Sequence, residues 1–253
     1  MVPRLPARFG TYYEPFLGAG SLFFLLEPPR AVLSDSNMEL IETYRAVRDN
    51  PQTILRHLAD FDPMDRDAYY RVRDSNSLCR FQSAARFIYL NRACWNGLYR
   101  VNSQGKFNVP YGAPSTSNIV DASVLLACSA ALSHPGVDLL HADFEIAIET
   151  SSAGDLVFLD PPYVTGHNNN GFIDYNEKLF SWADQCRLAR MASHLQRAGQ
   201  QVLVTNAYHP NLLALYPRFN FDVLSRYSTL AGNGSRRKPI EEVLLWQRSP
   251  HCE

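Results

Sequence analysis

The stretch from Asp155 to Tyr163, DLVFLDPPY, constrains the fold more than any other part of the chain. Leu156 to Leu159 is a continuous apolar run, which is typical of a strand buried on both faces of a parallel sheet. Two prolines follow, and because proline lacks an N–H group and disfavours a helical residue before it, neither a strand nor a helix continues there. We therefore expect Asp160 and Tyr163 at the carboxyl edge of a sheet, where open α/β sheets bind ligands.

The group Asp160-Pro161-Pro162-Tyr163 is suited to holding the exocyclic amine of a planar base. The carboxylate of Asp160 and the carbonyl of Pro161 can accept both hydrogens of an amino group, while the ring of Tyr163 stacks on the base. These four residues are the candidate catalytic residues. The alternative is a strand that simply ends in a tight turn, so the motif needs a structural context.

Composition limits the class of protein. A chain of 253 residues, 46% of them hydrophobic, can bury a large core, and its net charge of −1 gives no global sign of nucleic-acid binding. Five cysteines without a C-x-x-C pair indicate reduced thiols in a cytoplasmic protein, with neither a disulfide framework nor a metal site. The apolar stretch Leu22 to Leu26 is too short for a signal core or a membrane span, so no membrane partner is expected.

A strand, a glycine turn and a helix are predicted near the start of the chain. The aromatic strand at Tyr12 and Tyr13 leads into Gly18-Ala19-Gly20, and an apolar helix follows. Such a turn lets the backbone approach a nucleoside cofactor closely, so both glycines are candidate cofactor-binding residues. A plain turn is the alternative.

Acids end two further predicted strands. Asp35 closes the strand from Ala31 and is placed to bind a ribose hydroxyl, or it is only a charge near the start of the helix that Asn37 caps. Asp143 and Phe144 follow a strand from Val137 and can meet the amino group and the ring of a cofactor adenine. A simple helix cap at Asp143 is the alternative. We expect these acids and the two glycines to line one pocket.

The stretch 51–134 interrupts the alternation of strands and helices. It carries helical patterns at Gln52 to Ala59, Ala68 to Arg73, Phe81 to Ala93 and Ala122 to Leu132, so we expect a mostly helical insertion between two parts of one catalytic domain, 1–50 and 135–253.

The middle of this insertion, from Ser75 to Asn118, has five basic residues, no acid and seven interleaved aromatics. Arginines supply phosphate and guanine contacts, and an exposed ring can wedge between base steps. The alternative, which we expect for roughly half of these residues, is an aromatic core beside a solvated arginine face. The residues are Arg80, Arg86, Arg92, Arg100, Lys106, Phe81, Phe87, Tyr89, Trp95, Tyr99, Phe107 and Tyr111.

After Tyr163 the sequence predicts a mobile polar loop over the site, Thr165 to Asn176, and then a helix from about Ser181 to Arg197. A strand from Gln201 to Thr205, with Asn206 at its edge, and a final strand pair complete the sheet. The pair, Phe219 to Tyr227 and Ile240 to Trp246, is joined by a basic loop.

Four motifs, in the same order as in the family, make the chain resemble the Dam-type (D12 class) DNA N6-adenine methyltransferases. They are E-P-F-L-G-A-G-S from Glu14, S-D-S-N from Ser34, A-D-F from Ala142, and D-P-P-Y. In the insertion, F-I-Y-L-N-R-A-C-W-N-G-L-Y-R-V-N and G-K-F-N-V-P-Y-G are similar to the target-recognition segment of the family. The resemblance covers nearly the whole chain.

The resemblance implies an α/β fold: a Rossmann-like S-adenosylmethionine-dependent methyltransferase sheet with a mostly helical target-recognition insertion. It implies S-adenosylmethionine as methyl donor, without a metal, and an adenine flipped out of double-stranded DNA as acceptor. Glu14, Pro15 and Phe16 join the predicted cofactor-binding residues.

The resemblance also implies a DNA-binding loop, in which Trp95 wedges into the duplex while Leu98 and Arg100 read bases. The target would be GATC or a close relative, although Trp95 and Val101 stand where tyrosines are usual. The other predicted DNA-binding residues are Arg92, Asn96, Asn102 and Lys106, with Arg236, Arg237 and Lys238 in the basic hairpin loop.

One departure concerns the start of the chain. Family members begin with a K-W-x-G-G-K segment that packs over the cofactor, and this sequence starts after it. A truncation, a partner protein that completes the pocket, and a member that no longer methylates each explain this, and we expect weakened cofactor affinity. The alternatives to an active DNA methyltransferase are a silent DNA-binding or regulatory subunit and, disfavoured by the insertion, an RNA or protein-glutamine methyltransferase.

Overall fold

The computed structural model describes residues 2–75, 79–102, 104–163, 180–227 and 239–247. Contacts within the chain define two compact units. The first comprises Met1–Phe23, Pro28–Ser36 and Ala142–Glu253, and the second comprises Phe24–Glu27 and Asn37–His141. The predicted functional division at residues 50/51 and 134/135 stays a prediction.

Within the described ranges the chain has seven strands, and the six that belong to the first unit form one mixed sheet. The seven strands are β1 (Tyr12–Glu14), β2 (Ala31–Asp35), β3 (Val137–His141), β4 (Leu156–Leu159), β5 (Gln201–Ala207), β6 (Asn220–Tyr227) and β7 (Pro239–Trp246). The six strands of the first unit lie in the order β2-β1-β4-β5-β7-β6. Strands β2, β1, β4 and β5 are parallel, and β7 is antiparallel to both β5 and β6. The predicted α/β class is confirmed.

The α-helices, in chain order, are α1 (Ser21–Leu26), α2 (Met38–Asp49), α3 (Pro51–Ala59), α4 (Arg66–Asp74), α5 (Arg80–Ala93), α6 (Ala122–Leu132), α7 (Phe144–Ala147), α8 (Trp182–Arg197) and α9 (Pro210–Leu213). Short 3-10 helices lie at Val2–Arg4 and Trp95–Gly97. Among the described residues, no helix is long and apolar enough to cross a membrane.

Strand β4 is the centre of the first unit. All four of its residues are buried, as the apolar run predicts, and it ends at Leu159 before the two prolines. The register pairs Leu159 with Val204 on β5, so the residues that follow each of them lie side by side at the carboxyl edge. Because the neighbouring strands are parallel, β1 and β2 end at the same edge. This edge therefore collects the side chains that follow four strands.

Helix α8 covers one face of the first unit. It begins with a capping box between Ser181 and Asp184 and ends before Gly199, whose φ of +91° favours glycine. Its apolar face, with Leu188 and Ala192, packs in the same core as Val157 and Val204. The predicted helix is therefore confirmed within one residue.

The second unit is mostly helical, as the sequence predicts. Helices α3, α4, α5 and α6 lie at the four predicted positions. The described part of 51–134 contains no strand, and its β-type pairing is limited to isolated bridges. Tyr69 and Tyr89 are fully buried, and their hydroxyls donate to the carbonyls of Val109 and Asp62. Each ring can lie in the core because its polar tip has a partner there.

Some boundaries differ from the prediction. Strand β5 continues to Ala207, so Asn206 lies inside the strand and is buried rather than at its edge. Helix α7 ends at Ala147 instead of Thr150, because Ile148 leaves the helical conformation before a run of short polar residues. Helix α9 was not predicted, since its four residues are too short for a periodic pattern.

Candidate active site

The carboxylate of Asp160 lies at the end of β4 with two hydroxyls on one of its oxygens. Thr205 follows Val204 on β5 as Asp160 follows Leu159 on β4, and its hydroxyl donates to Oδ1 of Asp160. The hydroxyl of Tyr163 donates to the same oxygen over 3.3 Å. Asp160 is exposed, while Tyr163 and Pro162 are half-buried and Pro161 is buried. The D-P-P-Y group thus forms an open carboxylate beside an aromatic ring.

Two buried amides lie beneath this group. Gln185 on α8 is fully buried, and its Nε2 lies 3.5 Å from the carbonyl oxygen of Pro162. Asn206 on β5 donates to Oε1 of Gln185 over 3.1 Å. Gln185 is not among the residues predicted from the sequence. The available signal was a polar residue at helical spacing from Leu188 and Ala192, since a polar side chain on an apolar face needs buried partners.

Glu14 ends β1 on the same face of the sheet as Tyr12, because alternate strand residues share a face. Its side chain is only 2% exposed and accepts a hydrogen bond of 2.9 Å from the hydroxyl of Tyr12. Burial, reinforced by the negative charge of Asp160, raises the pKa of Glu14 to about 8. The carboxyl group of Glu14 is therefore mostly protonated at neutral pH. Pro15, which follows it, is also buried.

The glycine turn meets the end of β2. The N–H of Gly18 donates to Oδ2 of Asp35 over 3.1 Å, and the N–H of Leu17 donates to the carbonyl of Ser34 over 2.8 Å. Gly18 and Gly20 have φ of +46° and +62°, where L side chains are strained. A Cβ built on Gly18 would meet no atom within 4 Å. The backbone is therefore open to a ligand here, which fits the predicted close approach of a nucleoside cofactor.

Asp143 lies beside the end of β2, because the N–H of Ala142 donates to the carbonyl of Asp35. It caps α7 by accepting the N–H of Glu145, so the capping interpretation is confirmed. Its Oδ1 also accepts a hydrogen bond of 3.0 Å from Arg187 on α8. No sequence pattern predicts this ion pair, because its partners are 44 residues apart in the chain. The chemistry of a half-exposed carboxylate still suits the amino group of a cofactor adenine.

The ring of Phe144 is buried between an aromatic ring and a guanidinium group. Phe16 stacks on it at a centroid distance of 5.3 Å, and the guanidinium of Arg187 lies 4.7 Å from its centroid. Only 5% of Phe144 is exposed. Phe16 and Phe144 therefore form one aromatic pair, and their place in a cofactor pocket stays a prediction.

The predicted recognition loop lies in the second unit and follows α5. Trp95 is 43% exposed, and Asn96 and Gly97 both adopt positive φ, +54° and +63°. Leu98 is half-buried, whereas the predicted polar contacts are exposed: Arg92, Asn96, Arg100, Asn102 and Lys106. Two successive left-handed residues turn the chain sharply after Trp95 and leave its ring at the surface.

Arg100 is held by Asn108 in this loop. Its Nε donates to Oδ1 of Asn108 over 2.8 Å, and a terminal nitrogen lies 3.3 Å from the carbonyl oxygen of the same residue. The side chain of Asn102 accepts the N–H groups of Gln104 and Lys106, which closes the neighbouring turn. The loop therefore presents Arg100 in a defined direction.

Other residues of this basic and aromatic stretch are structural, as the alternative interpretation predicts. Phe87, Tyr89 and Phe107 are buried. Arg80 pairs with Asp49 over 2.7 Å, and Arg86 donates to two main-chain carbonyls at the end of α4. These two arginines hold the second unit together.

Some predictions cannot be placed. Arg236, Arg237 and Lys238, and the polar loop Thr165 to Asn176, lie outside the described residues. Within the described ranges, no group of three or more His, Cys, Asp or Glu side chains could hold a metal ion.

The geometry agrees with the comparisons with known proteins. The family model "D12 class N6 adenine-specific DNA methyltransferase" matches residues 1–229. The type II methyltransferase M1.LlaDCHI of Lactococcus lactis subsp. cremoris is 34% identical over 248 residues, which cover 95% of this chain and 87% of that protein. The type II methyltransferase M.MjaIII of Methanocaldococcus jannaschii is 34% identical over 253 residues, covering 92% of this chain and 87% of the relative.

A DNA adenine methylase of Escherichia coli is 31% identical over 238 residues, covering 91% of this chain and 84% of the relative. The matched range contains the glycine turn, the predicted recognition loop and the D-P-P-Y group, all of which lie among the described residues. The chain belongs to the D12 class N6 adenine-specific DNA methyltransferase family.

Proposed function

We propose that this chain transfers a methyl group from S-adenosylmethionine to N6 of an adenine in double-stranded DNA. The observation that carries the proposal is the exposed carboxylate of Asp160 at the end of a buried parallel strand, with one oxygen held by Thr205 and Tyr163. Membership of the family supports it.

Asp160 and Pro161 act on the acceptor. The lone pair of an adenine amino group is delocalised into the ring, so the amine is a poor nucleophile until its hydrogens are held out of conjugation. The carboxylate of Asp160 and the carbonyl of Pro161 accept these two hydrogens, and Tyr163 stacks on the base. S-adenosylmethionine supplies an electrophilic methyl group when it is bound. The contribution of the protein is therefore positioning and electrostatic stabilisation of the developing charge.

The cofactor pocket is formed by the open backbone at Gly18, the carboxylate of Asp35 and the carboxylate of Asp143. Asp35 accepts a ribose hydroxyl in this proposal, and Asp143 accepts the adenine amino group beside the pair of Phe16 and Phe144. A partner protein that completes the pocket stays an expectation.

The loop after α5 binds DNA in this proposal. Trp95 inserts into the duplex and offsets part of the cost of base flipping, which is a few kcal/mol of lost stacking. Leu98 and Arg100 read bases of a GATC-like site, and the exposed Arg92, Asn102 and Lys106 contact phosphates. A substrate of this kind, together with reduced thiols, favours the cytoplasm.

The test uses the full chain, tritiated S-adenosylmethionine and three acceptors: GATC-containing duplex DNA, an RNA of the same sequence and a glutamine-containing peptide. We expect label in the DNA alone, recovered as N6-methyladenine after digestion to nucleosides. Label in the RNA or the peptide contradicts the proposal. DNA binding without methyl transfer at saturating cofactor also contradicts it and identifies a silent family member.

A further inference from the structure

Strand β5 places a buried hydroxyl beside the catalytic carboxylate. Thr205 is 7% exposed and lies one residue after Val204, which pairs with Leu159 on β4. In a parallel pair, neighbouring residues in register point their side chains to the same face. The contact between Thr205 and Asp160 is therefore a consequence of strand register, and both strands are rigid because their residues are buried.

The hydrogen bond from Thr205 restricts the side chain of Asp160, which the backbone alone leaves free to rotate. Asp160 follows the last strand residue and precedes a proline, and its carboxylate can turn about two side-chain bonds. The hydroxyl of Thr205 donates to Oδ1, and the hydroxyl of Tyr163 lies 3.3 Å from the same atom. Two donors on one oxygen fix the plane of the carboxylate and so the direction in which its second oxygen points.

The hydroxyl of Thr205 has a second possible acceptor, so it would not be left unpaired without Asp160. Its oxygen lies 3.4 Å from the main-chain carbonyl of Leu159, which is an alternative acceptor. The orientation toward the carboxylate is the stronger interaction, because hydrogen bonds to a charged acceptor are about twice as strong as neutral ones. The hydrogen bond from Thr205 therefore links strand β5 to the carboxylate of Asp160.

We propose that Thr205 is a positioning residue for methyl transfer, which acts by holding the Asp160 carboxylate in the plane that receives the adenine amino group. The inference rests on the proposed function, and it adds a residue that the D-P-P-Y motif does not contain. Thr205 does not touch the substrate in this account. Its loss should slow the chemical step and leave the binding of cofactor and DNA unchanged.

The experiment compares four variants of the full chain in single-turnover methyl transfer to a GATC-containing duplex. Thr205→Val replaces the hydroxyl by a methyl group, Thr205→Ala removes it without adding an atom, and Thr205→Ser keeps it. Thr43→Val is the matched control, because Thr43 on α2 is equally buried and donates its hydroxyl to a main-chain carbonyl in the second unit. The thermal midpoint and the affinities for S-adenosylmethionine and duplex DNA are measured for each.

We expect Thr205→Val and Thr205→Ala to lower the single-turnover rate about 10-fold to 100-fold, the range that a small misplacement of a reacting group produces. Both affinities should stay within about twofold of wild type, because binding in the ground state is not affected. Thr205→Ser should restore most of the rate, and Thr43→Val should transfer methyl groups at the wild-type rate. Where Thr205→Val does not fold, Thr205→Ala and Thr205→Ser decide.

Two results overturn the inference alone. One is an active wild type whose Thr205→Ala variant keeps the wild-type rate. The other is a Thr205→Ser variant that is as slow as Thr205→Ala, since a purely structural role predicts no rescue by the hydroxyl. A wild-type chain that transfers no methyl group at all is a different result, because it overturns the proposed function and this inference with it.

Discussion

At the scale of single residues, two carboxyl groups near the same sheet edge have opposite environments. Asp160 is exposed and receives two hydroxyl donors, whereas Glu14 is buried and bonded to Tyr12. The negative charge of Asp160 contributes to the raised pKa of Glu14. Environments that separate the protonation of two nearby acids are typical of catalytic sites. Glu14 is therefore mostly protonated at neutral pH, while Asp160 is the acid of this pair that a ligand can reach.

Glu14→Gln tests the buried acid. The pKa of Glu14 in the folded chain, about 8, lies above its ordinary value of 4.5. The folded state therefore keeps a proton that the unfolded state releases, and this group makes stability fall as pH rises from 4.5 to 8. A glutamine keeps an acceptor for Tyr12 and cannot ionise. We expect it to raise the free energy of unfolding by on the order of 2–4 kcal/mol above pH 8.

The measurement is urea unfolding of the wild type and of Glu14→Gln at several pH values from 5 to about 9. The control is Glu149→Gln, which alters an exposed acid. A wild type and a Glu14→Gln variant with the same pH dependence would show that Glu14 ionises normally in the folded chain.

At the scale of elements, the carboxyl ends of β1, β2 and β4 carry the residues that we propose to bind ligands. The turn after β1 is held to the end of β2 by the bond between Gly18 and Asp35. Ala142 joins the segment after β3 to the same place. The loop after α5 is a separate element and belongs to the second unit. Its residues are the ones predicted to read the DNA sequence.

Gly18→Ala tests the turn as a cofactor site, with Gly154→Ala as a matched control. Both glycines have positive φ, and a Cβ on either would meet no atom of the protein within 4 Å. Each substitution should therefore cost a similar 1–2 kcal/mol of stability through backbone strain. Only Gly18→Ala should weaken the binding of S-adenosylmethionine, by about 10-fold or more, measured by calorimetry. Equal cofactor affinities in the two variants would place the cofactor elsewhere.

Arg100→Ala tests the recognition loop. If the guanidinium makes a bidentate contact to a guanine, its loss should cost about 1–3 kcal/mol and relax discrimination at one base pair. Binding is titrated on a panel of single-substituted duplexes at two salt concentrations. Arg92→Ala, at the exposed end of α5, should instead weaken binding uniformly and reduce the salt dependence by about one counterion. Uniform weakening by Arg100→Ala as well would make Arg100 a phosphate contact.

At the scale of the whole molecule, the sequence predicts what is local and misses what is distant. The buried run before Asp160 and the helical periodicity of the insertion are local patterns, and both are confirmed. The bond from Thr205 to Asp160 spans 45 residues and that from Arg187 to Asp143 spans 44. Only the register of the sheet and the packing of α8 bring these partners together. Neither the strand register nor the helix packing can be read from the local pattern of a single sequence.

The sequence also does not predict how far a residue lies below the edge of the sheet. A motif placed Glu14 at a strand end with the cofactor-binding residues, and the structure buries its carboxyl group beside Tyr12. A shift of one residue along a strand reverses the face to which a side chain points, and its distance from the edge decides its exposure. Local sequence predicts the strand but not this depth.

Methyl transfer by Asp160→Ala tests the central claim most directly. The full chain carrying this substitution is compared with wild type and with Asp138→Ala, which removes an exposed acid on β3, in a tritiated-methyl assay on adenine-containing duplex DNA. We expect Asp160→Ala to lose at least about 100-fold to 1000-fold in rate, because the amino group is no longer held. Its affinities for cofactor and DNA should stay close to wild type, and Asp138→Ala should be fully active. Near-normal turnover by Asp160→Ala would contradict the account.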